Sequence, residues 1–337
     1  MFTGVCQYAL MIQQHGNFFY FTAFVLSLQK IRFKLFHMKY LSKLTYACLA
    51  ALTVTITACS DDKDEPETSG KPSDQESVTK PNPSSVFTEG LPTQVGDYVI
   101  YKNDNGLVTK IVNDDEVTTF NYSPSTESRS ATRPSDYDMT MNVEWGNDDV
   151  NFYIKLNAQG FIEYAYEEDE DDDDYTDIDE WWFKYNDNGQ LIEMKRTEGD
   201  NEITTITYNA DGDITKVKVC DDDYPSGKME CEIKYTDASY ADVIYNKSGI
   251  MLYDASFRID MDEMAPAYYA GLLGKATAHL PLSASEVSYQ EYFNDYSFVW
   301  VLNDNEMPVK FICTYKSYYP WNDEPYEGVD DPVNFKW

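Results

Sequence analysis

Past Cys59 the sequence offers a single histidine, His279, amid a large excess of carboxylates: 59 Asp and Glu against 26 Lys and Arg in 337 residues. One histidine excludes a two-histidine metal motif such as HExxH within one mature chain. A Ser-His-Asp triad would have to use His279, and no GxSxG accompanies it, so a packing or surface role is expected there. What remains is carboxylate chemistry. A glycosidase needs only two acids at a set separation, and no such pair can be picked out of 59 without a fold. The unbroken acidic run EEDEDDDD, Glu167 to Asp174, is expected to be a solvated hairpin tip. Its oxygens suit weak calcium binding, but EF-hand spacing is absent, and Asn-Ala-Asp-Gly-Asp (209–213) reads better as a turn. No other cofactor or metal is expected, and no catalytic residue is assigned.

Other constellations weigh less. Ala270-Gly271-Leu272-Leu273-Gly274-Lys275 glances at a phosphate loop, yet the earlier glycine is missing and Ala276 stands where Ser or Thr should hold magnesium. Cys220 and Cys231 flank an Asp-rich loop and invite a disulfide, which an exported protein permits. Strand parity opposes the bond and a bulge could rescue it, so the pairing stays open. Cys313 is expected to be a small buried hydrophobe. Aromatics make up 15% of the chain, with 28 tyrosines. Clusters such as TYKSYYPW (314–321) and YQEYFNDYSFVW (289–300) could stack on sugar rings, although tyrosine also fills strand cores and rims.

The strongest chemical signal is Cys59 itself. From Met38 the chain reads MKYLSKLTYACLAALTVTITAC: two early lysines, an apolar stretch from Leu44 to Ile56, then small residues before the cysteine. That is the layout of a secretory signal, and its apolar centre is too short to span a bilayer of roughly 30 Å. Ile56-Thr57-Ala58-Cys59 resembles the bacterial lipobox, in which the thiol is acylated and becomes the new first residue. Two or more acyl chains suffice for stable anchoring. Ser60 to Glu65 (SDDKDE) resembles the acidic export tag of Bacteroidetes surface lipoproteins. An outer-membrane, lipid-anchored and surface-exposed location is therefore expected. Residues 1–37 fit badly and are read as an extension from a start assigned too early, an extra hydrophobic segment being the alternative. Residues 38–58 are the signal and 59–88 an acidic, Pro-containing tether with too little apolar surface to order itself. From Cys59 onward 21 basic residues face all 59 acids, a balance that repels phosphate backbones and excludes nucleic acid as a partner.

The elements that must position any chemistry lie in 89–337. Five segments share one frame, with Asn third and Gly sixth: Asn103 and Gly106, Asn157 and Gly160, Asn186 and Gly189, Asn209 and Gly212, Asn246 and Gly249. An Asn side chain closes an Asx turn, and Gly supplies the positive φ of a G1 bulge, so each copy predicts a β-hairpin. A sixth copy keeps Asn303 but has Glu306, which predicts a different loop. Between Ile214 and Tyr235, Val217, Val219, Met229, Cys231 and Ile233 alternate with Lys and Glu, as in a half-solvated antiparallel sheet. One helix is expected over Met264–Leu273, with Pro266 in its first turn and Gly274 at its end. The fold class is all-β: an antiparallel meander of repeated hairpins, curled or barrel-like, with one short helix. The chain ends in VNFKW, as membrane barrel strands often do, but the Lys–Glu face opposes a lipid-facing wall.

The YNxxG hairpins followed by AYYAGLLGK and LPLSAS resemble a family of Bacteroidetes lipoproteins, domain-of-unknown-function family 4595, described as porin-like and barrel-forming. The hairpins also resemble the YD repeats of Rhs-type surface proteins. The family carries no assigned activity, so the resemblance transfers no functional residue except the lipidated cysteine. The expected role is a membrane-held binding or interaction module for a glycan or protein ligand. A carboxylate-dependent hydrolase of extracellular polysaccharide, or a structural envelope component, are the alternatives. Two acids flanked by aromatics in one cleft would favour the enzyme, and an open aromatic patch the binder.

Overall fold

Alternating apolar and polar residues, broken at short intervals by turn residues, carry nineteen strands in the computed structural model. It describes residues 81–337 except 115, 124–135, 147, 171–175, 198–200, 237–241, 290 and 323. The first strands are β1 (Gln94–Val95), β2 (Tyr98–Lys102), β3 (Val108–Asn113), β4 (Glu116–Asn121), β5 (Met139–Trp145) and β6 (Asp148–Leu156). Then come β7 (Ile162–Glu170), β8 (Thr176–Tyr185), β9 (Leu191–Arg196), β10 (Glu202–Tyr208), β11 (Ile214–Cys220) and β12 (Met229–Lys234). A long excursion holds β13 (Ile244–Tyr245), α1 (Tyr253–Phe257), α2 (Pro266–Tyr269) and β14 (His279–Leu280). The chain resumes as β15 (Ser283–Ser288), β16 (Tyr292–Leu302), β17 (Pro308–Tyr318), β18 (Tyr326–Val329) and β19 (Val333–Lys336).

Each strand from β1 to β12 pairs antiparallel with the next, β12 passes to β15, and β17 pairs with β19. β19 pairs in turn with β1, closing a 16-strand barrel and leaving β18 as a flap beside the upper half of β17. Closure removes the unpaired edges that an open meander would expose.

The two faces of the wall are sorted by parity. Met139, Met141 and Val143 of β5 and Val150, Phe152 and Ile154 of β6 are buried towards the lumen, alternating with partly exposed Thr140, Asn142, Asn151 and Lys155. The outer wall of β11 and β12 carries a Lys–Glu lattice, with Lys216 Nζ 2.6 Å and Lys218 Nζ 3.6 Å from Glu230. Such exposed pairs add little stability. Their importance is that this part of the wall is matched to water.

The lumen is filled by the chain itself. Between β12 and β15, residues from Ile250 to Leu273 form a plug whose Phe257, Ile259, Met264, Tyr268 and Leu273 are almost fully buried. Each such side chain contributes roughly 1.5–3 kcal/mol of burial. The buried phenols are satisfied, Tyr253 donating to the Leu273 carbonyl at 2.9 Å and Tyr268 to that of Gly249. Burial pushes both hydroxyls far above their ordinary pKa, so they act as fixed donors.

Several expectations are corrected. The helix is confined to Pro266–Tyr269, because Gly271 takes φ 74° and turns the chain, and α1 was not foreseen. Packed chain begins before residue 89: Val86 and Phe87 are buried, and Pro83–Ser85 makes a 3-10 turn. Glu167 to Glu170 continue β7 instead of forming a loop, Glu167 accepting the Trp181 indole N–H; residues 171–175 of the run lie outside those described. The open question of a Cys220–Cys231 bond resolves the way strand parity pointed: both are free, since Cys231 points into the core and Cys220 to the opposite face.

The sixth copy of the turn frame differs from expectation too. Asn303 accepts N–H groups of Asn305 (2.9 Å) and Met307 (3.1 Å), the same bonds made in the copies at 103, 157, 186 and 209, while Glu306 adopts φ 63°. A left-handed non-glycine residue costs about 1–2 kcal/mol. Its ion pair with Lys247 is exposed and returns little. Glu306→Gly is therefore expected to raise the unfolding free energy by about 1 kcal/mol, measured by urea titration.

Candidate functional site

The turn frame orients the barrel. In the copies at 103, 157, 186 and 209 the Asn oxygen accepts the N–H groups two and four residues on, at 2.9–3.1 Å. The register slips by one residue beside each. These turns, and that at Asn303, all join an even-numbered strand to the next odd one, so they lie at one end of the barrel. The copy at Asn246 does something else. Asn246 Nδ2 donates to the Ile250 carbonyl, and Gly249, at φ 68°, turns the chain into the plug against the Val86 carbonyl, where a Cβ would collide.

The plug enters at this Asn–Gly end and is latched there. Lys275 N–H donates to the Gly189 carbonyl at 2.8 Å, and Gln190 Nε2 donates to the carbonyls of Gly212 and Ala276. His279 belongs to the same latch. Its Nδ1 lies 2.7 Å from Asp213 Oδ2, and its backbone N–H donates to Asp213 Oδ1 at 2.9 Å. Both Asp213 oxygens are thus committed to one residue, which fits a structural tie and not a catalytic relay. Gly271 and Gly274 pack against Pro83 and Gly189, so the AGLLGK segment makes no phosphate loop.

The plug tip reaches the opposite end, where it lines a cleft of about 460 Å³. Glu116 of β4, Asp254 and Glu263 meet Tyr98, Trp145 and Tyr269 in its walls. Arg196, stacked over Trp181 at 5.4 Å, holds the tip by Asp260 (3.3 Å) and Asp262 (3.4 Å) and holds the wall by Glu202 (3.3 Å). Lys228 extends the network to Glu202 and Asp221. Burial, and then the neighbouring Asp262 charge, push Glu263 up to about 8. Burial also raises Glu116, against a hydrogen bond from Thr118. Burial of Tyr98 raises its phenol to about 12. The cleft can therefore hold a protonated carboxyl beside aromatic walls. No group of three or more His, Cys, Asp or Glu among the described residues is arranged to hold a metal.

The same end carries the aromatic clusters. The tips joining β11 to β12, β15 to β16 and β17 to β18 bring Tyr224, Tyr289, Tyr292, Tyr319 and Trp321 into one chain of ring contacts. Tyr224–Tyr289 centroids are 5.1 Å apart, Tyr289–Tyr292 6.2 Å and Tyr292–Trp321 5.7 Å, all edge-to-face, while Tyr319 and Trp321 stack at 5.4 Å. Trp321 is 72% exposed. The sequence clusters 289–300 and 314–321 supply four of these rings, whereas Tyr224 and the plug-tip acids with Arg196 lie outside any such cluster. No local signal marks them, because the ring of strands alone brings them together.

A closed antiparallel barrel with a chain-filled lumen belongs to the porin-like class of folds. Residues 95–310 match the family described as "Domain of unknown function (DUF4595) with porin-like fold", and the chain belongs to that family. It is similar to a porin-like protein from Bacteroides uniformis ATCC 8492, with 15% identity, TM-score 0.51, 71% of this chain and 88% of that one covered. A porin-like protein from Bacteroides vulgatus ATCC 8482 matches at 14% identity and TM-score 0.43, covering 73% of this chain and 97% of that one. At these identities the likeness concerns the fold alone. No curated protein matches the chain. Cys59 lies outside the described residues. Among those described no helix is long and apolar enough to cross a membrane, which leaves strands untouched.

Proposed function

We propose that this protein is a lipid-anchored binding module of the outer membrane, exposed at the cell surface, whose ligand surface is the barrel end opposite the Asn–Gly turns. The reading is carried by the inversion of the barrel faces. A membrane-spanning barrel has an apolar outer band and a polar interior; here the core is apolar and plugged, and the outer wall near Lys216, Lys218 and Glu230 is charged. A wall of this kind needs a separate anchor, and the lipobox-like Ile56-Thr57-Ala58-Cys59 supplies one. With the lumen filled, recognition falls to the tips and the cleft.

Membrane fractionation and protease shaving test this. Wild-type chain is expected in the membrane fraction and to be cut on intact cells while a periplasmic marker survives. Cys59→Ala is expected in the soluble fraction. Recovery of Cys59→Ala in the membrane, or protection of wild type until the outer membrane is broken, overturns the anchor or the surface assignment respectively.

A second reading, a carboxylate-dependent polysaccharide hydrolase, is favoured by one observation: Glu116 and Glu263 share a cleft with Tyr98, Trp145 and Tyr269, and Glu263 retains its proton to about pH 8. Release of new reducing ends from a polysaccharide would be its signature.

A further inference from the structure

The outer wall beside the aromatic tips has a concavity of its own. A hollow of about 610 Å³ runs over β16, β17 and the flap β18, lined by Asp295, Ser297, Thr314, Lys316, Tyr318 and Glu327. Cross-strand pairing puts Asp295 opposite Lys316, Ser297 opposite Thr314, and Lys316 opposite Glu327, so donors and acceptors form a two-dimensional array. Lys316 is tied to Glu327 at 2.6 Å and Asp295 accepts from Ser285 at 2.8 Å, which fixes their positions. At its upper end Phe293 pairs with Tyr318, both well exposed, and the next residues are Tyr292 and Tyr319 of the ring chain. An apolar aromatic ridge thus adjoins a hollow rich in hydroxyls and carboxylates.

We infer that the ridge of Tyr289, Tyr292, Tyr319 and Trp321, together with the hollow over β16–β18, is a binding site for a neutral polysaccharide. The inference rests on the binding-module reading and names its ligand. A sugar ring has an apolar C–H face, suited to aromatic stacking, and a hydroxyl edge, suited to such an array; the two chemistries lie side by side here as they do on the ligand. Charge decides against competitors. Asp295 and Glu327 line the hollow, Glu291 directly precedes Tyr292 of the ridge, and the hollow's amine is already paired, so anionic polymers and anionic lipid surfaces are repelled. A second copy, or a lipid surface pressed on this face, would have to desolvate Asp295, Lys316 and Glu327. A polyol ligand would hydrogen-bond them instead. Four rings across two tips, with a hollow reaching over three strands, offer room for several sugar units.

Affinity electrophoresis tests the inference, using the full chain in mild detergent in native gels containing an unbranched β-glucan, an α-glucan, a galactomannan or, as the anionic counterpart, polygalacturonate. At least one neutral polymer is expected to retard the wild type and polygalacturonate is not. Retardation is expected to weaken tenfold or more in Trp321→Ala and in Asp295→Ala. Both sites are exposed, and an unchanged melting temperature certifies that each variant is folded. Retardation that persists in both variants overturns the site but leaves the binding-module reading standing. No retardation by any neutral polymer, retardation by polygalacturonate alone, or a Trp321→Ala effect seen only on vesicle flotation or on dimer mass, overturns the ligand assignment. The anchor is judged separately by shaving.

Discussion

Phe87→Ala is expected to lower the unfolding free energy by about 3–5 kcal/mol, the usual cost of emptying a buried phenylalanine site. Phe87 is 1% exposed and meets the Tyr268 ring edge-on at 5.5 Å. Its own turn is fixed by the Phe87 N–H donating to the Pro83 carbonyl at 2.9 Å, and the neighbouring Val86 carbonyl abuts Gly249. The segment therefore clamps the point where the plug enters the lumen, and the void left by truncation has rigid walls on both sides. A urea midpoint lowered with unchanged slope is the expected measurement; a loss below about 1 kcal/mol, the low end for any core site, would mean that the segment is not seated. The prediction extends to fragments. A piece trimmed to 95–310 lacks Phe87, most of β17 and all of β19, and so loses both the clamp and the strand that closes the ring.

Raising the pH from about 4.5 to about 8 is expected to destabilise the folded chain through Glu263. Its folded-state pKa, about 8, lies above the ordinary glutamate value near 4.5. Between those limits the folded state holds a proton that the unfolded state has released, so stability falls with rising pH across this window and is level beyond it. The cause is burial of the carboxyl at the plug tip, followed by the adjacent Asp262 charge. Glu116, raised by burial, adds in the same direction, whereas Glu230, lowered by Lys216, loses its contribution only as the pH drops below about 4.5. The effect from Glu263 is on the order of a few kcal/mol. Thermal melts should show wild type several degrees more stable at pH 5 than at pH 8.5, and Glu263→Gln should flatten that difference by stabilising the alkaline side. A pH profile identical in the two proteins would refute the assignment.

Most of the wall was legible in the sequence because its signals are local. Parity alone put Val217, Val219, Met229, Cys231 and Ile233 on one face, and the ladder pairs Val217 with Cys231 and Val219 with Met229. The antiparallel meander and its barrel-like closure follow from the same alternation. The plug was not legible as a plug. Residues 250–273 are apolar without a sustained period, their two helices span only 5 and 4 residues, and a segment buried on all sides has no polar face to reveal its geometry. β1 was equally silent, because a two-residue strand carries no alternation. The candidate site is a property of the closed ring. Tyr224, Tyr289 and Trp321 sit on three separate tips, and Glu116 meets Glu263 only because the plug crosses the whole lumen.

The seam of the barrel has a consequence for how the molecule comes into being. β1 and β19 are zipped by bonds such as that from Thr93 to the Lys336 carbonyl, between residues 243 positions apart. Contacts of such span form late, since the loop entropy must be met before they return anything. A chain emerging amino-terminal end first would have β1 to β12 available as hairpins, one neighbour at a time, while the cylinder still gaped. The plug is made between β12 and β15, so it is delivered while the wall is still an open sheet, and closure by β19 comes after its lining is in hand. The order of the segments is thereby an order of assembly in which the vessel is packed before it is shut.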